Sequence, residues 1–269
     1  MEKAIEYFTV FGGLNIKIDS SKPLIELIET HILNEYKNLR TPINTLTGGY
    51  KIDHAILTGA ALGDRRTQTA FKKAHVSLEE GMKCVENLCE KGIVELESSQ
   101  HFITNQRGDA KIAKKLLFTA PFLRFWFAFI SPIYKGIKEG NYQEFKELYE
   151  NRKAQFCDFV FEELALEFLI DFYKEDALKQ MGKYWDDKIT IDLIAKTTSG
   201  KIIVGTCKYI DGKIKKSELS KLKNECESLG ITPDVFVFFA KKGYSNELKA
   251  LKSENIRLFT AKSFKLLID

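Results

Sequence analysis

Ile189-Thr190-Ile191-Asp192-Leu193-Ile194-Ala195, then Thr198-Ser199-Gly200, then Lys201-Ile202-Ile203-Val204-Gly205-Thr206-Cys207-Lys208 is the stretch that decides the fold. The first run alternates, the middle is turn chemistry and the second run is again strand-like, so the whole predicts a β-hairpin. Upstream, Phe161, Leu164, Ala165, Phe168, Leu169 and Phe172 fall on or near one face of an amphipathic helix expected over 159–179. Downstream, the pattern predicts a helix over 217–229, a strand over 235–239, a helix near 246–253 and a short strand over 257–259. Alternating helices and strands give an α/β layout here rather than an all-helical one.

Nearer the N-terminus the pattern is helical. Leu24, Ile25, Leu27, Ile28, Ile32, Leu33 and Tyr36 recur at helical spacing, with an expected stop near Thr41-Pro42 because the residue before proline avoids αR geometry. A second helix is expected from Ile52 to Leu62, before Gly63. A third starts at Ser77, where Ser77 and Glu80 form a capping box, and ends near Gly92. Two β-like pieces follow, at 93–96 and 101–104. Helices followed by a hairpin are the winged-helix order, which gives an N-terminal helical, winged-helix-like domain at 1–110. In a DNA-binding version the capped helix would enter the major groove, yet it carries Glu79, Glu80, Glu86 and Glu90 against Lys83, and phosphate would repel that face. Arg65 and Arg66 just upstream are the basic candidates in this half.

The chain has 269 residues, and its 41 Lys+Arg against 37 Asp+Glu leave a net charge of +4, which permits a nucleic-acid partner without requiring one. The composition, 44% hydrophobic and 29% charged, fits a folded globular protein of roughly two domains rather than a disordered chain. Five cysteines without a C-x-x-C pair support neither a disulfide framework nor a zinc cluster. The acidic opening Met1-Glu2-Lys3-Ala4-Ile5-Glu6 has no secretory pattern, so a cytoplasmic location is expected. The aromatic run 116–134 is interrupted by Pro121, Arg124 and Pro132, which predicts a buried helix rather than a membrane span. It opens an aromatic-rich helical connector at 111–155, leaving 156–269 as the C-terminal domain.

Hairpin pairing would bring Asp192 and Lys208 together, with Glu162 approaching from the preceding helix. Helix acid, strand Asp and acid-x-Lys resemble the PD-(D/E)xK nucleases, in which carboxylates hold Mg²⁺ beside substrate phosphate and the lysine stabilises developing negative charge. The likeness extends along the chain. Phe122-Leu123-Arg124-Phe125-Trp126-Phe127-Ala128-Phe129-Ile130-Ser131-Pro132, Phe161-Glu162-Glu163-Leu164, Gly182-Lys183-Tyr184-Trp185, Ile191-Asp192-Leu193-Ile194-Ala195 and Gly205-Thr206-Cys207-Lys208-Tyr209 resemble the successive signatures of the domain of unknown function 234 family. The resemblance covers about residues 45 to 269. It implies a restriction-endonuclease-like α/β domain at 156–269, metal ligation by Asp192 and Glu162, and an archaeal-type AAA+ ATPase as a neighbouring module.

The chain departs from that family in two places. Thr206 stands where the family pattern has Glu, which removes one anionic ligand for Mg²⁺. No G-x-x-x-x-G-K-[ST] occurs, so the chain has no P-loop and is not an ATPase by itself; an ATPase partner would be a separate polypeptide. Glu163, Asp186 and Asp187 are candidates for a relocated acid. Plainer readings stay open: Asp192 and Lys208 also fit an ion pair, and Trp185-Asp186-Asp187-Lys188 fits an ordinary turn. Cys207 reads as a core thiol, and His31, His54, His75 and His101 receive no role. Lys213, Lys215, Lys216 and Lys223 follow the hairpin, with 216 and 223 two helical turns apart, so they fit either a phosphate-facing stripe or a solvated helix face. The leading expectation is a DNA-associated protein with an altered nuclease site at Glu162, Asp192 and Lys208. The alternatives are a Mg²⁺-dependent endonuclease with a relocated carboxylate, and a protein-interaction module for a separate ATPase.

Overall fold

A computed structural model describes residues 1–49, 51–104 and 112–267, and the domain boundary expected at 110/111 lies outside these residues. The chain divides into two compact units. One comprises Met1–Ile5, Ser99–Ile112 and Cys157–Asp269; the other comprises Glu6–Ser98 and Ala113–Phe156.

The hairpin anticipated from 189–208 is the centre of the first unit. Its five-stranded sheet contains β3 (Leu178–Trp185), β4 (Thr190–Thr197), β5 (Ile202–Lys208), β6 (Val235–Ala240) and β7 (Ile256–Thr260), in that spatial order. β3–β4 and β4–β5 pair antiparallel, whereas β5–β6 and β6–β7 pair parallel. Gly200 supplies the left-handed geometry of the β4–β5 turn at φ +93°, and Asp176 fastens the turn through the Ser199 N–H at 2.9 Å and the Ser199 hydroxyl at 2.6 Å. Leu193, Ala195, Ile203, Val237 and Phe239 pack with Phe161, Ala165, Phe168 and Leu169 of the long helix Gln143–Phe172. Ile194, Val204 and Phe238 pack with Leu219, Leu222 and Cys226 of the helix Lys216–Ser228. The three inner strands β4, β5 and β6 are thus covered on both sides, as near-continuous apolar runs require.

β3 replaces the end of the helix expected over 159–179. The helix stops at Phe172, a 3₁₀ turn spans Lys174–Asp176, and the chain enters the sheet at Leu178. Lys179 and Gln180 are exposed and the register slips twice along the strand, so the period-2 pattern that would announce it is broken. The order after the long helix is accordingly three strands, a helix and a strand, followed by the short helix Asn246–Lys249 and β7.

In the second unit, helices Tyr36–Thr47, Lys51–Ala61, Thr67–Ala74 and Leu78–Glu90 precede a two-stranded sheet of β1 (Val94–Glu97) and β2 (Lys115–Phe118). The Ser77 hydroxyl accepts the Glu80 N–H at 3.2 Å as the capping pattern foretold. Gly92 takes φ +66° just past the same helix, as a helix stop requires. Two expectations fail here. Pro42 lies inside its helix rather than ending it, because Pro42 and Asn38, whose carbonyl loses its usual helical partner, are on the exposed side, where solvent is accessible to that carbonyl. The second strand of the hairpin is Lys115–Phe118, not 101–104; Gln100 instead donates its N–H to the Lys183 carbonyl at 2.9 Å along β3.

The aromatic run is buried, but as broken turns: helix Pro121–Phe125, π-helical Trp126–Ile130 and 3₁₀ Ser131–Ile133. Arg124 is 3% exposed, donates to the carbonyls of Ala61 at 3.1 Å and Phe156 at 2.9 Å, and covers the Phe156 ring at 4.2 Å. Its charge is therefore spent on satisfying backbone within an aromatic core. Among the described residues no helix is long and apolar enough to cross a membrane.

Candidate functional site

β4 and β5 hold Asp192 opposite Thr206. The Thr206 hydroxyl donates to Asp192 Oδ2 at 2.6 Å, and the Cys207 backbone N–H donates to the same oxygen at 3.0 Å. Burial and the nearby Glu162 push the Asp192 carboxyl above its usual range, against the pull of Lys208 and the two hydrogen bonds. Lys208 stands at the end of β5. Burial works against its charge, but Asp192, Asp158, Glu218 and Glu162 outweigh it and raise the ammonium above its usual range. Cys207 is buried, and burial raises its thiol well above the ordinary value, which makes it a core residue rather than a nucleophile.

Sequence reasoning overlooked Asp158, one helical turn before Glu162. Its Oδ1 accepts the Tyr209 N–H at 2.7 Å. Burial pushes its carboxyl up to about 6, helped by Glu162 and Asp192 and opposed by the Tyr209 N–H and Lys208. The i, i+4 spacing of Asp158 and Glu162 was the available signal. Glu162 itself accepts from Lys183 Nζ at 3.0 Å, and Glu163 accepts from the same ammonium at 2.5 Å. Lys183 is 2% exposed, so this bridge ties the long helix to β3 and commits both glutamates to it.

A small cleft of ≈ 20 Å³ is lined by Asp192, Thr206, Lys208, Glu218, Lys221 and Glu225 among others, with room for about one water or one ion. Burial and Asp192 raise the Glu225 carboxyl despite Lys221 at 3.8 Å. The acids proposed as relocations are placed elsewhere. Asp186 caps the β3–β4 turn, accepting the N–H groups of Lys188 at 2.7 Å and Ile189 at 2.6 Å and the Tyr184 hydroxyl at 2.8 Å. Asp187 stands in that same turn, and Glu163 is bound to Lys183. The carboxylates that do reach the cleft, Glu218 and Glu225, sit two turns apart on the helix Lys216–Ser228.

Mg²⁺ requires converging oxygen donors. Asp192 has one oxygen engaged by Thr206 and Cys207, and among the described residues no three His, Cys, Asp or Glu stand together in a geometry that would hold a metal ion. The donors as placed do not form a ready Mg²⁺ site at Asp192 and Glu162.

The basic candidates separate. Lys213, Lys215, Lys216 and Lys223 are all exposed; Lys223 Nζ lies 5.7 Å from the Phe236 ring centre. Arg65, by contrast, is 7% exposed and lies 3.9 Å from Glu97, so it is not presented to a phosphate surface. Arg66 is partly exposed, with its backbone N–H bonded to Asp64 at 3.0 Å and its guanidinium 3.8 Å from the same carboxylate.

Residues 126–222 match the sequence model of the domain of unknown function 234 family, described as "Archaea bacterial proteins of unknown function"; the matched span contains Glu162, Asp192, Thr206 and Lys208. No curated protein matches the chain. A solved structure, protein VC1899 from Vibrio cholerae, is similar at 11% identity and a TM-score of 0.31, over 80% of this chain and 48% of that one. The chain thus spans about half the length of that protein.

Proposed function

We propose that this chain, whose residues 126–222 carry the signature of that family, associates with DNA through a PD-(D/E)xK-like domain and acts by binding rather than by cleavage. The observation that carries the reading is the Thr206 hydroxyl 2.6 Å from Asp192, a neutral donor in the place where the family pattern supplies a second carboxylate. The order helix, three strands, helix, strand supports the PD-(D/E)xK comparison. Exposed Lys213, Lys215, Lys216 and Lys223, on or just before the helix Lys216–Ser228, support a phosphate-facing surface.

The test is binding of the purified chain to duplex and single-stranded DNA over a salt series, with and without Mg²⁺, alongside a plasmid-cleavage assay. The reading predicts salt-dependent binding that does not need Mg²⁺ and no cleavage. Absence of salt-dependent binding to either DNA form would defeat it.

A Mg²⁺-dependent endonuclease is the second reading, favoured by Glu225 and Glu218 lining the cleft with Asp192 and Lys208. It requires cleavage that is lost in both Asp192→Ala and Lys208→Ala. In either case the winged-helix-like unit would serve protein contacts, for instance to a separate ATPase, since its capped helix presents Glu79, Glu86 and Glu90.

A further inference from the structure

The second unit contains a cavity of ≈ 360 Å³ that shares no lining residue with the Asp192 cleft. Its walls include Tyr36, Arg40, Lys51, His54, Trp126 and Tyr134, and among its described lining residues none is acidic. Two basic side chains, Arg40 and Lys51, therefore face one concave space of a size that takes a small molecule. Tyr36 and Trp126 stack with ring centres 5.6 Å apart at 2°, forming a rigid aromatic wall. Arg40 lies 6.0 Å from the Tyr36 ring centre and 5.8 Å from that of Tyr134, so its guanidinium is held between two rings. Tyr134 is 40% exposed, leaving ring surface on which a further aromatic group can stack.

His54 completes the wall. The Thr47 hydroxyl lies 2.9 Å from the Ile43 carbonyl and 2.8 Å from His54 Nε2, so a hydrogen bond between hydroxyl and imidazole fixes the ring in the wall. Burial pushes His54 below its ordinary value, with Arg40 pulling the same way and Asp53 opposing. The imidazole is thus neutral and supplies polarity without charge, while Asn44 and Ser131 add donors and acceptors. Trp126 enters the cavity from the π-helical turn Trp126–Ile130, a distortion often found at functional sites.

We propose that this cavity binds a mononucleotide: Arg40 and Lys51 hold the phosphate, and the base stacks on Tyr134. Cations without a carboxylate select an anion, and an aromatic wall with a stackable ring selects a planar group; a nucleotide joins the two. Calorimetric titration of the full chain with AMP, adenosine and inorganic phosphate tests this. AMP should bind at least about tenfold more tightly than either fragment. Arg40→Gln and Lys51→Gln should each weaken AMP binding by about tenfold, the loss of one charge-assisted contact. Tyr134→Leu should weaken it too, and Lys37→Gln, an exposed change on the Arg40 helix, should leave it unaltered. The inference is overturned if AMP shows no binding at millimolar concentration, if adenosine or phosphate binds as tightly as AMP, or if folded Arg40→Gln and Lys51→Gln proteins both bind AMP like the wild type.

Discussion

Replacing Asp158 by Asn isolates the charge balance of the candidate site. The Asp158 carboxyl is raised from 3.8 to about 6, first by burial and then by Glu162 and Asp192, while the Tyr209 N–H and Lys208 pull it back. A carboxyl raised on folding favours the folded state only while it is protonated. That contribution is fully present below pH 3.8 and lost as the pH rises through about 6. The gap of 6 − 3.8, converted at 1.36 kcal/mol per unit, withholds about 3 kcal/mol from the folded protein above pH 6. Asn keeps the shape and still accepts the Tyr209 N–H, so the substitution removes the charge and little else. Urea unfolding of both proteins, followed by circular dichroism between pH 4 and 8, gives the difference in stability with other titrations cancelled. Asp158→Asn should match the wild type near pH 4 and exceed it by up to about 3 kcal/mol at pH 8. A difference that does not change with pH, or a less stable variant at pH 8, would refute the reasoning.

Three further substitutions probe the same unit. Thr206→Glu removes a hydrogen bond to a charged group and sets a second carboxylate beside Asp192. It should cost about 2 kcal/mol in EDTA and gain a Mg²⁺-dependent rise in Tm larger than any in the wild type, and an absent metal response would contradict this. Lys183→Met strips the shared counter-charge from Glu162 and Glu163, so equilibrium unfolding at pH 7 should show a loss of about 3 kcal/mol, and an unchanged stability would contradict the bridge described. In Gly205→Ala the new Cβ would run into Val237 Cγ2 and lie 2.7 Å from the Val237 carbonyl oxygen, which cannot yield without moving β6. A cost of about 2 kcal/mol or more is expected by the same unfolding assay, and an unchanged stability would contradict the packing described.

The β4–β5 hairpin was legible because its strands alternate and its turn carries Ser199-Gly200, local signals that tertiary packing reinforced. The approach of Asp192, Thr206 and Lys208 followed from hairpin register alone. β3 was not legible: an edge strand with exposed Lys179 and Gln180 and two register slips lacks the period that a sequence reading depends on. The roles of Glu163 and Arg65 depended on partners distant in sequence, Lys183 and Glu97, whereas Asp186 is held by its near neighbours Tyr184, Lys188 and Ile189, as the turn reading of 185–188 allowed. Glu218 and Glu225 face the cleft because the packing of Leu219, Leu222 and Cys226 turns their helix toward it, an orientation that local spacing does not report. Asp158 was readable from its spacing to Glu162, but its raised carboxyl arises from burial that no spacing reports.

The most direct measurement of the central claim is the salt dependence of duplex DNA affinity for the wild type and for a variant with Lys213, Lys215, Lys216 and Lys223 all changed to Gln. Each phosphate contact contributes about 0.9 to the slope of log affinity against log salt, so losing four contacts should flatten it by up to about 3.6. Binding is expected without Mg²⁺, with a slope that falls in the variant. An identical slope in both proteins, or DNA binding that appears only with Mg²⁺ and is followed by cleavage, would contradict it.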